Sequence, residues 1–246
     1  MTLLSARGLS HKFPDGGYGI RDLDIDIFGD ELLLIAGRNG SGKTVLMLHL
    51  VGLLEPTEGT VHYRGIPVSK RTDEVRNRIG IVLQDPRAQF LGQTVAEDVG
   101  FGLEFEGVEI SEVERRVYES LKIMNIADLA NRRPFFLSGG EQRKSALAAL
   151  LVREPEALIL DEPFIGLDLT GVVSITESII DLRRRGHAVV VITHDIEKIL
   201  AHADRLAIMD DGRVVASGQP GDMISRLKQH AIRTPRGSIE SMSWLE

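Results

Sequence analysis

The stretch Gly37-Arg38-Asn39-Gly40-Ser41-Gly42-Lys43-Thr44 follows the apolar run Leu32-Leu33-Leu34-Ile35-Ala36 and precedes an apolar-rich segment from Val45 to Leu54. It reads as strand, glycine turn, helix. A strand that feeds a glycine-rich loop into a helix N-terminus aims several backbone N–H groups at one point, where the helix dipole also favours an anion. Gly37, Gly40 and Gly42 let the backbone close around a polyphosphate, Lys43 can reach its outer phosphates, and Thr44 can offer its hydroxyl to a magnesium ion. The alternative, an ordinary glycine-rich turn before a lysine, accounts for neither the strand before it nor the helix after it.

Two more apolar runs end in chemistry. Ala157-Leu158-Ile159-Leu160 stops at Asp161-Glu162, and Ala188-Val189-Val190-Val191-Ile192 stops at Thr193-His194. Runs apolar on both faces are what parallel strands sandwiched between helices require. Ligands of open α/β sheets bind beyond the carboxyl ends of the strands, so one phosphate site served by all three runs is expected. Asp161, following four apolar residues, is expected to be partly buried and to need a cation, which magnesium held with Thr44 would supply. Glu162 would point elsewhere and could orient or deprotonate a water; a solvated loop is the plainer reading of two adjacent acids. His194 is either a γ-phosphate contact or a structural histidine.

The remaining chain surrounds this site. Alternation in Leu23-Asp24-Ile25-Asp26-Ile27 predicts a half-exposed antiparallel strand, with Pro14-Asp15-Gly16-Gly17 as the turn of a β-subdomain. Phe13, before that turn, is either core or a platform for a base. Thr60 to Tyr63 reads as a strand, and Ile79 to Leu83 is a short apolar run ending at Gln84. From Thr94 to about Val152 the pattern is helical, with Ser111 and Glu114 as a capping box and a break from Asn131 to Pro134. Within it, Leu137-Ser138-Gly139-Gly140-Glu141-Gln142 places two glycines before a helix, a second anion-binding N-terminus with Ser138 as N-cap or phosphate donor. A helix from about Gly171 to Arg185 and a hairpin of Arg205–Met209 with Arg213–Ala216 follow. From Gln219 onward a helix and a polar tail are expected, whose basic residues Arg226, Lys228, Arg233 and Arg236 read as solvated.

Composition narrows the classes. The chain has 246 residues, 43% hydrophobic and 26% charged, enough for one large domain with an inserted subdomain. A formal charge of −7 argues against a sequence-independent duplex-binding surface, so no nucleic-acid partner is expected. No cysteine occurs, which excludes disulfides and cysteine-based zinc sites and leaves oxygen ligands for any metal. The longest apolar runs fall far short of the ~20 residues that span a bilayer, and the N-terminus lacks the pattern of a signal peptide. A cytoplasmic protein is expected, and any membrane role would have to run through a partner.

Taken together, these residues resemble the ATP-binding-cassette ATPases over nearly the whole length. Gly37 to Thr44 is similar to the family's Walker A motif, Gln84 to its Q-loop glutamine, Leu137 to Glu141 to its LSGG signature, and Leu158 to Glu162 to its Walker B motif with catalytic glutamate. Leu167-Asp168 resembles the D-loop and His194 the H-loop histidine, while Phe13 stands where the family places an adenine-stacking aromatic. The segment from Gln84-Asp85-Pro86 through Gln89 to Thr94-Val95-Ala96-Glu97-Asp98 and Phe101-Gly102-Leu103 is similar to the ATPases of energy-coupling-factor and cobalt-type importers. Three positions depart from the family pattern: Leu83 where an aromatic is frequent, Glu141 where glutamine is commoner, and Phe164-Ile165-Gly166 in the approach to the D-loop.

The resemblance implies a P-loop α/β fold of the cassette type. Residues 1–86 and 156–218 would form a RecA-like core, a mixed and largely parallel sheet with an antiparallel β-subdomain. Residues 87–155 would form an inserted all-helical subdomain carrying the signature, and 219–246 a C-terminal helix and tail. It further implies ATP and Mg²⁺ as cofactors. Nucleotide would be bound by Phe13, Gly37, Asn39, Gly40, Ser41, Gly42, Lys43, Thr44 and Thr193, with Ser138, Gly139, Gly140 and Asp168 acting from a second subunit. Metal ligands would be Thr44, Gln84 and Asp161, and catalysis would fall to Glu162, His194, Lys43 and Gln84. The implied partners are a second ATPase subunit, identical or related, and integral-membrane subunits at the inner face of the membrane. The implied function is the motor of an importer for a vitamin or transition-metal ion. Its rivals are a soluble cassette ATPase serving DNA repair, translation or cofactor assembly, and a regulator that binds ATP without hydrolysing it.

Overall fold

In the computed structural model the described residues are 1–235, 237, 239 and 242–245. The expected tail falls partly outside them, Arg236 included. The chain opens with β1 (Thr2–Lys12) and β2 (Tyr18–Phe28), an antiparallel pair joined by the Pro14–Gly17 turn. Leu23, Ile25 and Ile27 of β2 are buried and Asp24 is exposed, as strict alternation requires. Next come β3 (Leu32–Gly37), buried at every position, the glycine loop, and α1 (Lys43–Leu50). Strands β4 (Glu58–Tyr63) and β5 (Ile66–Pro67) complete a four-stranded sheet of order β2-β1-β4-β5. Then α2 (Thr72–Arg78) leads into β6 (Ile79–Val82), and three helices follow without an intervening strand: α3 (Val95–Phe105), α4 (Ile110–Ile123) and α5 (Gly139–Leu151). The chain ends with β7 (Ala157–Asp161), α6 (Leu169–Arg184), β8 (Ala188–Thr193), β9 (Arg205–Asp210), β10 (Arg213–Gly218) and α7 (Pro220–Leu227).

The second sheet has the order β10-β9-β3-β8-β7-β6, and β10 is antiparallel to its neighbour while the other pairs are parallel. The two-residue period of its strands divides the core. Leu32, Leu34, Leu158, Leu160, Val189 and Val191 point to a core shared with α3 to α7, whereas Leu33, Ile35, Ile159, Val190 and Ile192 point to one shared with α1 and the first sheet. Both faces are therefore covered, which is why β3, β7 and β8 carry no polar side chain before their carboxyl ends.

Helix starts follow local capping chemistry. Thr94 with Glu97 and Ser138 with Glu141 form full capping boxes at α3 and α5. The expected box of Ser111 with Glu114 is not formed. Glu109 caps α4 instead, its carboxylate accepting from Ser111 N at 2.9 Å and Glu112 N at 3.3 Å, so the helix begins ahead of Ser111. Likewise α6 begins two residues before Gly171, because the Asp168 side chain accepts from Gly171 N at 2.8 Å and serves as N-cap.

Candidate active site

Strands β3, β8 and β7 are adjacent and parallel, with Ala36 opposite Thr193 and Asp161 opposite Ile192. Their carboxyl ends therefore deliver the glycine loop, the Thr193-His194 turn and the Asp161-Glu162 pair to one place. The loop itself is built on close approaches. A Cβ on Gly42, whose φ is +95°, would lie 2.3 Å from Gly19 O, and one on Gly37 would lie 2.5 Å from Met209 O. Gly212, at the tip of the β9–β10 hairpin, donates to Ser41 O at 3.2 Å and accepts from Arg21 N at 2.9 Å, tying the loop to β2.

Lys43 is buried, and its Nζ donates to Gly37 O at 2.7 Å and Arg38 O at 2.9 Å. Burial lowers its pKa, and the nearby Glu162 and Asp161 carboxylates oppose that shift. Thr44 Oγ1 donates to Asp161 Oδ2 at 3.1 Å. Burial pushes the Asp161 carboxyl up, the Thr44 bond pulls it down, and the neighbouring Glu162 charge raises it further.

Glu162 has a left-handed backbone, φ +49°, and its N–H donates to Ile192 O at 2.8 Å. That turn lays its side chain across the end of β8. Glu162 Oε2 accepts from Thr193 Oγ1 at 2.8 Å, while Oε1 accepts from His194 N at 3.1 Å and faces His194 Nδ1 at 2.7 Å. A carboxylate only accepts, so Nδ1 carries the proton in this contact.

Phe13 is half-exposed beside the start of α1. A Cβ on Gly19 would lie 3.0 Å from the Phe13 ring and 3.2 Å from Val45, so the ring rests on a position that only glycine leaves open. The His11 ring meets it edge-on at 4.9 Å.

The structure thus brings together Lys43, Thr44, Asp161, Glu162, Thr193 and His194, with Phe13 alongside. Gly40 and Asn39 are exposed on the loop, and Ser41 is buried there with its N–H on Arg38 O at 3.1 Å. Thr193, expected to contact nucleotide, is fully buried, and its hydroxyl serves Glu162 and Asp195 N. The other expected site residues lie apart. Ser138, Gly139, Gly140 and Asp168 line a separate cleft of about 480 Å³ that includes Lys144 and no residue of the glycine loop. Gln84 lines another cleft, of about 390 Å³, with Gln142, Arg143 and Ile165. No hydrogen bond among the described residues joins it to Thr44 or Asp161.

Two buried side chains with no role of their own assigned from sequence hold these pieces in place. Arg143 is buried and donates to Gly139 O at 3.3 Å and Ile165 O at 2.6 Å, fastening the α5 N-terminus to the loop ahead of Asp168. Asp98, also buried, accepts from Leu91 N at 2.6 Å and Gly92 N at 2.9 Å and shapes the segment after Gln84.

The family model for ABC transporters matches residues 20–165, more than half of the chain, and takes in the glycine loop, Ser138 to Glu141 and the Asp161-Glu162 pair. The chain belongs to the ABC transporter family. It is 35% identical over 242 residues to the energy-coupling factor transporter ATP-binding protein EcfA of Methanocaldococcus jannaschii, covering 96% of this chain and 87% of that one. It is 39% identical over 239 residues to the cobalt import ATP-binding protein CbiO of Rhodobacter capsulatus, covering 95% and 85%. Among solved structures, cbiO1 from Clostridium perfringens, part of the ABC transporter complex cbiONQ, superposes with a TM-score of 0.84 at 31% identity and 96% coverage of both chains. The likeness to the ABC ATPases foreseen from the glycine loop, the signature and the Asp161-Glu162 pair is therefore met in sequence and in fold.

Proposed function

We propose that this chain is the ATP-hydrolysing subunit of a membrane importer of the energy-coupling-factor type. The observation that carries this is the convergence of Lys43, Thr44, Asp161, Glu162 and His194 at the ends of three adjacent strands, in a chain alike over 95% or more of its length to ATPases named for such importers. Adenine would rest on Phe13 and the phosphates on the N–H groups of residues 39 to 44, with Lys43 exchanging its carbonyl partners for phosphate oxygens.

Mg²⁺ fits the residues present. Thr44 Oγ1 and Asp161 Oδ2 are hard oxygen donors in contact at 3.1 Å, and Asp161 is buried beside a second carboxylate, Glu162, a donor set that suits a hard divalent cation. Thr44 and Asp161, with Gln84 as a further candidate ligand, would hold the ion, which would supply charge neutralisation for the phosphates. Glu162 takes a proton from the attacking water, Lys43 stabilises charge on the γ-phosphate oxygens, and His194 contacts that phosphate through its half-exposed ring.

ABC ATPases work as dimers attached to membrane subunits. The separation of the Ser138–Gly140 cleft from the glycine loop supports a head-to-tail arrangement, in which the cleft of one subunit covers ATP held by the other. Residues 1–86 with 156–218 would then act as the nucleotide-holding body, 87–155 as the arm presenting the signature, and 219–246 as an appended tail. Among the described residues no helix is long and apolar enough to cross a membrane, so attachment at the inner face would run through the integral-membrane partners. Purification from detergent-solubilised membranes tests the reading: recovery with an integral-membrane companion is expected, and consistent recovery without one favours a cassette ATPase unconnected with transport.

A further inference from the structure

Glu162 has two carboxylate oxygens, and the structure surrounds them differently. Oε2 lies on the inner side, against the hydroxyl of Thr193, a fully buried residue whose backbone is locked into β8 opposite Ala36. That hydroxyl is satisfied twice over, donating to Oε2 at 2.8 Å and accepting from Asp195 N at 3.0 Å, so its direction is fixed. Oε1 lies on the outer side. It accepts from the backbone N–H of His194 and from an imidazole whose side chain is 47% exposed. The half-exposed imidazole has solvent to swing into, whereas the threonine side chain is fully buried and bonded on both sides.

Resting on the reading of Glu162 as the base, we infer that Thr193 is a positioning residue for it and divides the work between the two oxygens. Thr193 holds Oε2 throughout the cycle. His194 leaves Oε1 for the γ-phosphate and opens a lone pair to the attacking water. The water O–H bond breaks, its proton passes to Oε1, and the oxygen bonds to the γ-phosphorus. The bond from that phosphorus to the bridging oxygen breaks with its electron pair retained by ADP. Thr193 touches neither nucleotide nor water; it fixes the carboxylate so that Oε1 meets the water in one orientation.

The test compares Thr193→Val and Thr193→Ser in the complex purified with its membrane partner, measuring kcat, KM and ATP affinity. Loss of the hydroxyl in T193V is expected to lower kcat roughly 10- to 100-fold with KM within about 2-fold, and T193S to restore the rate to within about 3-fold of the parent. In a Glu162→Gln background the same T193V change should leave ATP affinity unchanged, as in the parent, because Thr193 acts on the carboxylate and not on the nucleotide. Unchanged kcat in T193V overturns the inference. So does a loss of ATP affinity matching the loss of rate, or a T193S variant as slow as T193V, since each marks a merely structural threonine. If T193V does not fold, Thr193→Ala takes its place under the same criteria. Turnover at the parental rate by E162Q would instead remove the base reading itself, whereas an inactive E162Q with a fully active T193V removes only the role of Thr193.

Discussion

Lys43 and Gly42 show how little freedom the phosphate loop has. In the proposed function Lys43 is the cation that meets the γ-phosphate, and Lys43→Ala should then lower phosphate release by at least roughly 100-fold. Turnover close to the parent would mean that the loop is not the site of hydrolysis. Gly42 adopts φ +95° with Gly19 O at 2.3 Å from any added Cβ, so Gly42→Ala has no room and no conformational allowance. It should cost at least about 1–3 kcal/mol in chemical denaturation, and an unchanged midpoint would contradict the packing of this loop on β2. At this scale the sequence was informative where spacing alone carries the chemistry, as in Gly37 to Thr44 and Asp161-Glu162. It was uninformative about Thr193, because the turn that lays Glu162 over the end of β8 depends on a left-handed backbone at Glu162 that no propensity announces.

Among the elements, α1 carries a pH-sensitive point remote from chemistry. His49 is 1% exposed, its Nδ1 meets Leu54 O at 3.0 Å, and its Nε2 is buried without a partner, close to the His11 ring. Burial, and then the neighbouring His11, push the His49 pKa from 6.5 down to about 4. Between these values the unfolded chain binds a proton that folded His49 refuses, so stability is full above about pH 6.5, falls on acidification through the window, and levels off below about pH 4. The contribution is on the order of 3 kcal/mol. His49→Leu should flatten the midpoint-against-pH curve in that window; curves of equal slope would exclude His49 as the cause. Helix α5 offers a second check, since Ser138→Ala removes the N-cap of a full capping box and should cost about 1 kcal/mol in thermal denaturation. Parallel strands β3, β7 and β8 were legible because four to six consecutive apolar residues fit only a doubly covered sheet. The start of α4 was misplaced because a glutamate reached over Ser111 to cap the helix, a contact that depends on side-chain conformation rather than on the S-x-x-E pattern.

For the molecule as a whole, the six-stranded sheet sets the geometry of the site at the ends of β3, β7 and β8. The glycine loop and the Ser138–Gly140 cleft are distinct places on one chain; spacing alone reads both as anion-binding helix starts, and only the family resemblance assigned the second to another subunit. Arg143 and Gly212, which fasten the signature and the phosphate loop to their surroundings, were unreadable, since their partners lie 22 and 171 residues away at Ile165 and Ser41. If the halves belong to one composite site, ATP should draw two ATPase subunits together in the Glu162→Gln variant and hydrolysis should release them in the parent, a change that light scattering follows. The proposed function turns on Glu162 as the base of an ATPase built at the ends of β3, β7 and β8. Phosphate release by the membrane complex, compared between the parent and Glu162→Gln at saturating ATP, decides the point. A rate at least roughly 100-fold lower with ATP binding retained is expected, and turnover by E162Q at the parental rate would remove Glu162 from that role.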